Sequence, residues 1–130
     1  MERIREFLAK DRFAQHVGIE LLEVGPGRAK ARLRITDQHL NGVGIVHGAA
    51  LFSLADLVFA AASNSHGTVA VAINAHIAFL KATTGGVLVA EGREVSQNPK
   101  LATYDVDIRN ETGELVASFH GMVYRKKDPI

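Results

Sequence analysis

The chain has 130 residues, of which 47% are hydrophobic and 22% charged, and its formal net charge is +1. This length predicts one globular domain over residues 1–130, and the near-neutral charge argues against a nucleic-acid partner. The absence of cysteine excludes thiol catalysis, disulfides and thiolate metal sites.

The predicted elements begin with a short amphipathic helix. Ile4, Phe7 and Leu8 recur at helical spacing between charged residues, with Phe13 as a further candidate, which is typical of a helix on a protein surface. This segment lacks the uninterrupted apolar core of a secretory signal. No apolar run approaches the roughly 18 residues that a membrane span needs. We therefore expect a cytoplasmic protein without a membrane partner.

A hairpin and a long apolar helix follow. Residues 19–24 and 29–36 have the pattern of strands, and Gly25-Pro26-Gly27 predicts the turn between them. After a polar loop, residues 46–65 are apolar on nearly every side, and Gly67 lies where the helix is expected to stop. A helix of this composition has to be buried.

Four strand-length segments complete the chain, at residues 68–80, 87–96, 101–109 and 115–125. In the first, Val71, Ile73 and Ile77 share one phase, and Asn74 and His76 share the other. Strands joined by turns favour an antiparallel meander. We expect an α+β fold in which a curved antiparallel sheet wraps around one long central helix. Such a sheet leaves an open edge, so we also expect a dimer that continues the sheet edge to edge.

Asp56 is the only ionisable residue of the apolar helix. A lone buried carboxylate costs several kcal/mol unless it is paired, hydrogen-bonded or protonated. From the residues alone, a structural carboxylate and a catalytic one both remain open. Gly48 begins the helix, where free N–H groups and the helix dipole favour negative charge. Asp56 lies about 12 Å further along the axis, too far to serve this glycine directly.

The segment from Asn41 through His47, Gly48 and Ala49 to Asp56 carries a motif. It resembles the signature of hotdog-fold acyl-CoA thioesterases of the phenylacetate-degradation (PaaI-type) branch. That branch has an Asn, a short loop, His-Gly-Gly and an acidic residue two turns into the central helix. Residues 73–81, 100–104 and 121–124 are similar to strand segments of the same family. The likeness covers roughly residues 15–125.

The resemblance implies a hotdog fold and an acyl-CoA thioesterase that uses no metal or other cofactor. It implies that Asp56 is the nucleophile, or the base that activates water, and faces Gly48 of another subunit. The Gly48 N–H would polarise the thioester carbonyl, and Asn41 would orient the thioester or the water. The substrate would be an aryl- or a short- to medium-chain acyl-CoA. The protein would be a homodimer, with dimers paired into a homotetramer.

The resemblance also suggests residues that bind the substrate. His47 and Ala49 would contact it beside Asn41. His47 could instead bond the backbone and fix the loop, which is the role we favour. Lys81 and Lys100, with the adjoining Leu101, resemble positions that meet coenzyme A. The remaining histidines have no metal-ligand spacing, so we expect no metal site.

Two departures from the family pattern keep alternatives open. Ala49 replaces the second glycine of His-Gly-Gly, and Leu57 stands where relatives often carry a Thr or Ser hydroxyl that assists catalysis. A non-catalytic acyl-CoA-binding protein on the same fold is therefore the main alternative. A hotdog dehydratase pairs a histidine with an acid, but His47 and Asp56 are not spaced as that family requires.

Overall fold

The apolar segment after the polar loop forms a single helix, α3, over Gly48–Asn64. In the computed structural model, which describes residues 1–130, this helix lies on the concave face of a six-stranded antiparallel sheet. The predicted architecture is thereby confirmed. No helix is both long enough and apolar enough to cross a membrane.

Two short helices and six strands surround α3. Their bounds are Glu2–Leu8 (α1), Arg12–Val17 (α2), Glu20–Gly25 (β1), Arg28–Arg34 (β2), Thr68–Phe79 (β3), Val87–Gln97 (β4), Leu101–Arg109 (β5) and Leu115–Pro129 (β6). A 3-10 turn at Asp37–His39 precedes α3. The N-terminal segment forms two helices where one was predicted, because the Asp11 side chain accepts a hydrogen bond from the Ala14 N–H (2.9 Å) and begins a new helix.

The strands follow the order β1-β2-β4-β5-β6-β3 across the sheet. The β1–β2 hairpin is confirmed, and β4, β5 and β6 form a meander. The predicted meander of all four later strands is wrong in one respect, since β3 pairs with β6 and not with β4. The reason is that α3 crosses the concave face and carries the chain from β2 to the opposite edge. The place beside β2 is left for β4.

Strand β3 also departs from its predicted pattern. Its register with β6 shifts between Ala72 and Asn74, so that Ile73 lies in a bulge. Residues on the two sides of a bulge no longer share one phase. Ile77 packs against the core, whereas Val71 and Ile73 are 44% and 52% exposed. β3 is thus an open edge strand with apolar side chains in solvent.

The core holds α3 close to the sheet. Phe59 of α3 packs against Tyr104 and Phe119, with ring centroids 5.8 and 5.3 Å apart, and all three side chains are buried. A Cβ atom added to Gly121 would lie 2.7 Å from the Phe59 ring, and one added to Gly92 would lie 2.6 Å from Val58. Glycine at these two sheet positions therefore permits the close approach that fixes the orientation of α3.

Candidate active site

The first turn of α3 leaves one backbone N–H without an acceptor. The Ala49 N–H donates to His47 Nδ1 (2.9 Å), and the N–H groups of Ala50 and Leu51 donate to the His47 carbonyl (3.0 and 3.3 Å). The Gly48 N–H makes no hydrogen bond within the chain. Because it lies at the positive end of the helix dipole, it is a free donor for a negatively polarised oxygen.

Gly48 opens onto a cavity of about 420 Å³, called here the Gly48 cavity, which it lines together with Asn41, Phe79, Lys81 and mostly apolar neighbours. A Cβ atom added to Gly48 would lie 3.0 Å from Phe79 Cζ. The lack of a side chain at Gly48 therefore lets the Phe79 ring approach the helix start. Phe79 itself is 56% exposed and forms an apolar rim of the cavity.

Asn41 holds the loop before α3 and keeps a donor free. Its Oδ1 accepts hydrogen bonds from the N–H groups of Val43 (3.1 Å) and Ile45 (3.2 Å). Its side-chain amide makes no hydrogen bond as a donor within the chain. The loop that precedes Gly48 is thus fixed by the carbonyl half of Asn41, and the N–H half is available to a ligand.

His47 and Ala49 line a second cavity, on the α2 side of the helix start. This cavity, of about 350 Å³, is lined by side chains of α2 such as Phe13 and His16 and by Ser53 of α3, and is called here the Ser53 cavity. The predicted substrate contacts are therefore divided. Asn41 lies with Gly48 on one side, and His47 lies with Ala49 on the other.

His47 is the N-terminal cap of α3. Because its Nδ1 accepts from a backbone N–H, the imidazole carries its proton on Nε2 in this arrangement. The His47 N–H in turn donates to the His39 carbonyl (2.7 Å). These contacts support the backbone-fixing role over direct substrate contact.

Asp56 was expected to be buried, and in the single chain it is exposed. The sheet covers only one side of α3, which leaves the other side in solvent. This open side of α3 consists of Ala49, Phe52, Ser53, Asp56 and Ala60. The Asp56 carboxylate makes no hydrogen bond or ion pair within the chain. Partial removal of solvent by the surrounding chain raises the pKa of its carboxyl, and the negative charge of Asp11 raises it further.

Leu57, the second departure from the family pattern, belongs to the core. It is 5% exposed and lies within the cluster of buried residues between α3 and the sheet. Its side chain is therefore on a different side of α3 from Asp56. Leucine at this position contributes packing, and a hydroxyl here would meet apolar neighbours within the single chain.

The proposed coenzyme A contacts do not come together within one chain. Lys81 forms an ion pair with Glu114 (3.3 Å), and its N–H donates to the Val116 carbonyl. The Lys100 carbonyl accepts from the Arg125 N–H (2.7 Å). Val116 and Arg125 are nine residues apart on β6, about 30 Å along a strand. Lys81 and Lys100, with Leu101, therefore lie at opposite ends of the sheet.

Two residues near these sites were not predicted from the sequence. Phe79 lies in the strand predicted over residues 68–80, and its position over Gly48 follows from the pairing of β3 with β6. Asp11 was not singled out, although an Asp just before a short helical segment is a recognised N-cap signal. Its effect on the pKa of Asp56 required the packing of α2 against α3.

The sheet wrapped around one helix is the hotdog thioesterase fold, and the "Thioesterase superfamily" matches residues 43–117 of this chain. The chain is 38% identical to the acyl-coenzyme A thioesterase PaaI of Escherichia coli over 116 residues. That match covers 88% of this chain and 83% of the relative. The chain therefore belongs to the thioesterase superfamily and is a thioester hydrolase.

Solved structures agree with this assignment. The E. coli PaaI structure superposes with a TM-score of 0.93 at 35% identity, covering 97% of this chain and 92% of the other. PaaI from Thermus thermophilus matches with a TM-score of 0.84 at 36% identity, over 88% and 98% of the two chains. A Streptococcus pneumoniae thioesterase with coenzyme A matches with a TM-score of 0.88 at 25% identity, over 96% and 98%.

Proposed function

We propose that this protein hydrolyses the thioester of an acyl-CoA to the free acid and coenzyme A. Asp56 of one subunit would act on a carbonyl held at Gly48 of another. The observation that carries the proposal is the free Gly48 N–H at the start of α3, next to the free amide donor of Asn41. The names of the relatives support the substrate class, since PaaI is an acyl-CoA thioesterase and the pneumococcal structure contains coenzyme A.

The chemistry needs a nucleophile and a donor for the developing oxyanion. The thioester carbonyl oxygen accepts from the Gly48 N–H, and attack on the carbonyl carbon moves the electron pair onto that oxygen. The pair then returns, the carbon–sulfur bond breaks and the coenzyme A thiolate leaves. If Asp56 acts as a base, it removes a proton from the attacking water and that proton passes to the thiolate. If Asp56 is the nucleophile, water hydrolyses the resulting anhydride.

Geometry within one chain argues for a site shared between subunits. Asp56 lies about 12 Å beyond Gly48 along α3, so the two cannot meet at one carbonyl in the same chain. The open side of α3 and the free edge of β3 are both available to a second copy. Antiparallel pairing of two β3 edges would place the two α3 helices side by side in opposite directions. Each Asp56 would then lie opposite the Gly48 of its partner.

The same pairing would reunite the separated lysines. Antiparallel β3 strands bring opposite ends of the two sheets together, so Lys81 of one subunit would lie near Lys100 and Leu101 of the other. Lys81 would exchange its ion pair with Glu114 for a phosphate of coenzyme A. The acyl group would be aryl or a short to medium aliphatic chain, held by the apolar residues around Gly48 and by the Ser53 cavity.

The test is turnover by Asp56→Asn and Asp56→Ala, measured as thiol release from a panel of aryl- and alkyl-CoA esters. We expect kcat to fall by about 10²–10⁴-fold, the usual contribution of a general base, with circular dichroism and Tm showing a folded protein. Normal activity of Asp56→Asn on the best substrate would refute the assignment. Ligand binding by the wild type without thiol release on any ester would instead favour the non-catalytic acyl-CoA-binding alternative.

A further inference from the structure

We propose that Asp11, at the start of α2, is a positioning residue of this reaction that acts on Asp56 through its negative charge. This inference rests on the proposed function, because it assigns a role to Asp11 only if Asp56 is the reacting acid. Asp11 lies outside the Asn41-to-Asp56 motif. Its role follows from where α2 packs and not from the motif.

Helix α2 packs against α3. His39 links the two helices, since its Nε2 donates to the carbonyl of Val17, the last residue of α2 (2.6 Å). Its own carbonyl accepts from the N–H of His47, the cap of α3 (2.7 Å). The C-terminal end of α2 is therefore held beside the N-terminal end of α3. Phe13, two residues after Asp11, lines the Ser53 cavity together with Ser53, so the N-terminal part of α2 lies beside the second turn of α3.

Measured from the two helix ends that His39 links, Asp11 and Asp56 lie at similar distances along their helices. Asp11 precedes Val17 by six residues, about 9 Å along α2, and Asp56 follows His47 by nine residues, about 13 Å along α3. Side chains of α2 face Ser53 across the Ser53 cavity. Asp56 lies three residues beyond Ser53, so it occupies the next turn on the same face of α3.

The charge of Asp11 is fixed in this position. Its Oδ1 accepts from the Ala14 N–H (2.9 Å), and its residue is half-buried, so the carboxylate cannot turn away without uncapping α2. After loss of solvent, the charge of Asp11 is the second cause that raises the pKa of Asp56.

Several other charged groups near α3 bond to residues other than Asp56. The ionisable groups on the concave sheet face, Tyr104 and Glu94, bond each other (2.6 Å) near the C-terminal end of α3, where His66 also contacts Glu94. On α1, Arg3 and Arg5 donate to the carbonyls of Ile130 and Leu22. The remaining charged or titratable groups on or beside α1, α2 and the 3-10 turn are Glu2, Glu6, Lys10, Arg12, His16 and Asp37. Among the charged groups near Asp56, Asp11 is the one whose charge raises the pKa of the Asp56 carboxyl.

The charge of Asp11 should change the pH dependence of activity in one direction. Asp56 has to be ionised to act, so activity rises as the pH increases through its pKa. A like charge nearby raises that pKa, which makes the ionised form a stronger base. Removal of the Asp11 charge should therefore extend activity to lower pH and reduce turnover on the high-pH plateau.

The experiment compares the pH profile of kcat/KM for the wild type and Asp11→Asn, followed by the loss of thioester absorbance of the CoA ester that the wild type hydrolyses fastest. Asparagine caps a helix as well as aspartate, so α2 should be retained. We expect the acidic limb of the profile to move to lower pH in Asp11→Asn and to return towards the wild-type position in Asp11→Glu. Asp37→Asn removes the same charge from the 3-10 turn and should leave the profile unchanged.

A profile of Asp11→Asn that coincides with that of the wild type would overturn the inference, provided that Asp56→Asn is inactive. If Asp56→Asn is active, it is the proposed function that fails. Should Asp11→Asn unfold, Asp11→Ser offers a second neutral cap, and the same shift of the acidic limb is expected from it. An equal loss of activity at every pH in both neutral variants would show a purely structural role and would also contradict the proposal.

Discussion

At the scale of single residues, some hydrogen-bonding groups at the start of α3 stabilise the loop and the helix, and others remain free for the proposed reaction. His47 supplies a ring nitrogen and a carbonyl to three of the first four helix N–H groups, which leaves the Gly48 N–H free. Asn41 uses its carbonyl for the loop and keeps its amide donor. The free donors that the proposed reaction needs are thus those left over once the other N–H groups of the loop and of the first helix turn have acceptors.

The role of His47 can be separated from substrate contact by two substitutions. His47→Asn keeps a side-chain oxygen that can cap α3, whereas His47→Ala removes the cap and should lower the free energy of unfolding by about 1 kcal/mol. If His47 serves only as a cap, His47→Asn should retain both its stability in urea denaturation and its kcat/KM. A stable His47→Asn variant with greatly reduced kcat/KM would show that the imidazole contacts the substrate.

The sequence predicted candidate site residues but not their surroundings. Gly48 and Asp56 could be selected from residue type and spacing, and Asn41 from the resemblance to the thioesterase family. The exposure of Asp56 could not, because it depends on how far the sheet wraps around α3. Nor could the influence of Asp11 be predicted, since it arises only when two helices that are distant in the chain pack together.

At the scale of elements, β3 would determine whether a second subunit can complete the proposed site. It is an edge strand with exposed Val71 and Ile73, and edge strands of this kind are templates for pairing with another chain. The bulge at Ile73 is the local feature that turns apolar side chains outward. An exposed apolar edge is costly for an isolated chain, which is a physical reason to expect a second copy there.

Ile73→Lys should therefore prevent the proposed dimer and with it the activity. A lysine in the middle of the edge would bring like charges together across a two-fold interface. Sedimentation velocity should show a smaller species, and thiol release should fall in parallel. Val95→Lys provides a matched control, because Val95 is similarly exposed (53%) but lies on β4, within the sheet. An Ile73→Lys variant that stays dimeric and active would contradict β3 pairing.

Apart from the N-terminal segment, which forms two helices where one was predicted, the helices and strands followed from periodicity and turn residues, including α3 to within two residues at each end. The place of β3 did not follow, since strand order depends on how α3 crosses the sheet. The bulge in β3 could not be predicted from the residue pattern either, because a single extra residue changes the phase of a strand without changing its composition. The predicted end of the last strand at residue 125 was early, because β6 continues to Pro129 in partnership with Thr68.

At the scale of the whole molecule, the parts described above would form half of the proposed site. Gly48 and Asn41 lie in one cavity, Asp56 lies on the open side of α3, and the two lysines lie at opposite ends of the sheet. A two-fold pairing along β3 would bring Gly48 and Asn41 of one subunit close to Asp56 of the other, and Lys81 of one close to Lys100 of the other. Further pairing of dimers into tetramers, and a cytoplasmic location, stay predictions that other experiments would have to address.

The central claim, a site shared between subunits, is tested most directly with hybrid dimers. Asp56→Asn and Gly48→Ala should each be nearly inactive, the second because its methyl group would crowd Phe79 and the approach to the N–H. A hybrid of the two would contain one doubly damaged site and one intact site. Dissociating and randomly reassociating an equal mixture should restore about a quarter of wild-type activity, since about half of the dimers are hybrids. If hybrids isolated through two different affinity tags are no more active than either parent, the site lies within one chain and the account is contradicted.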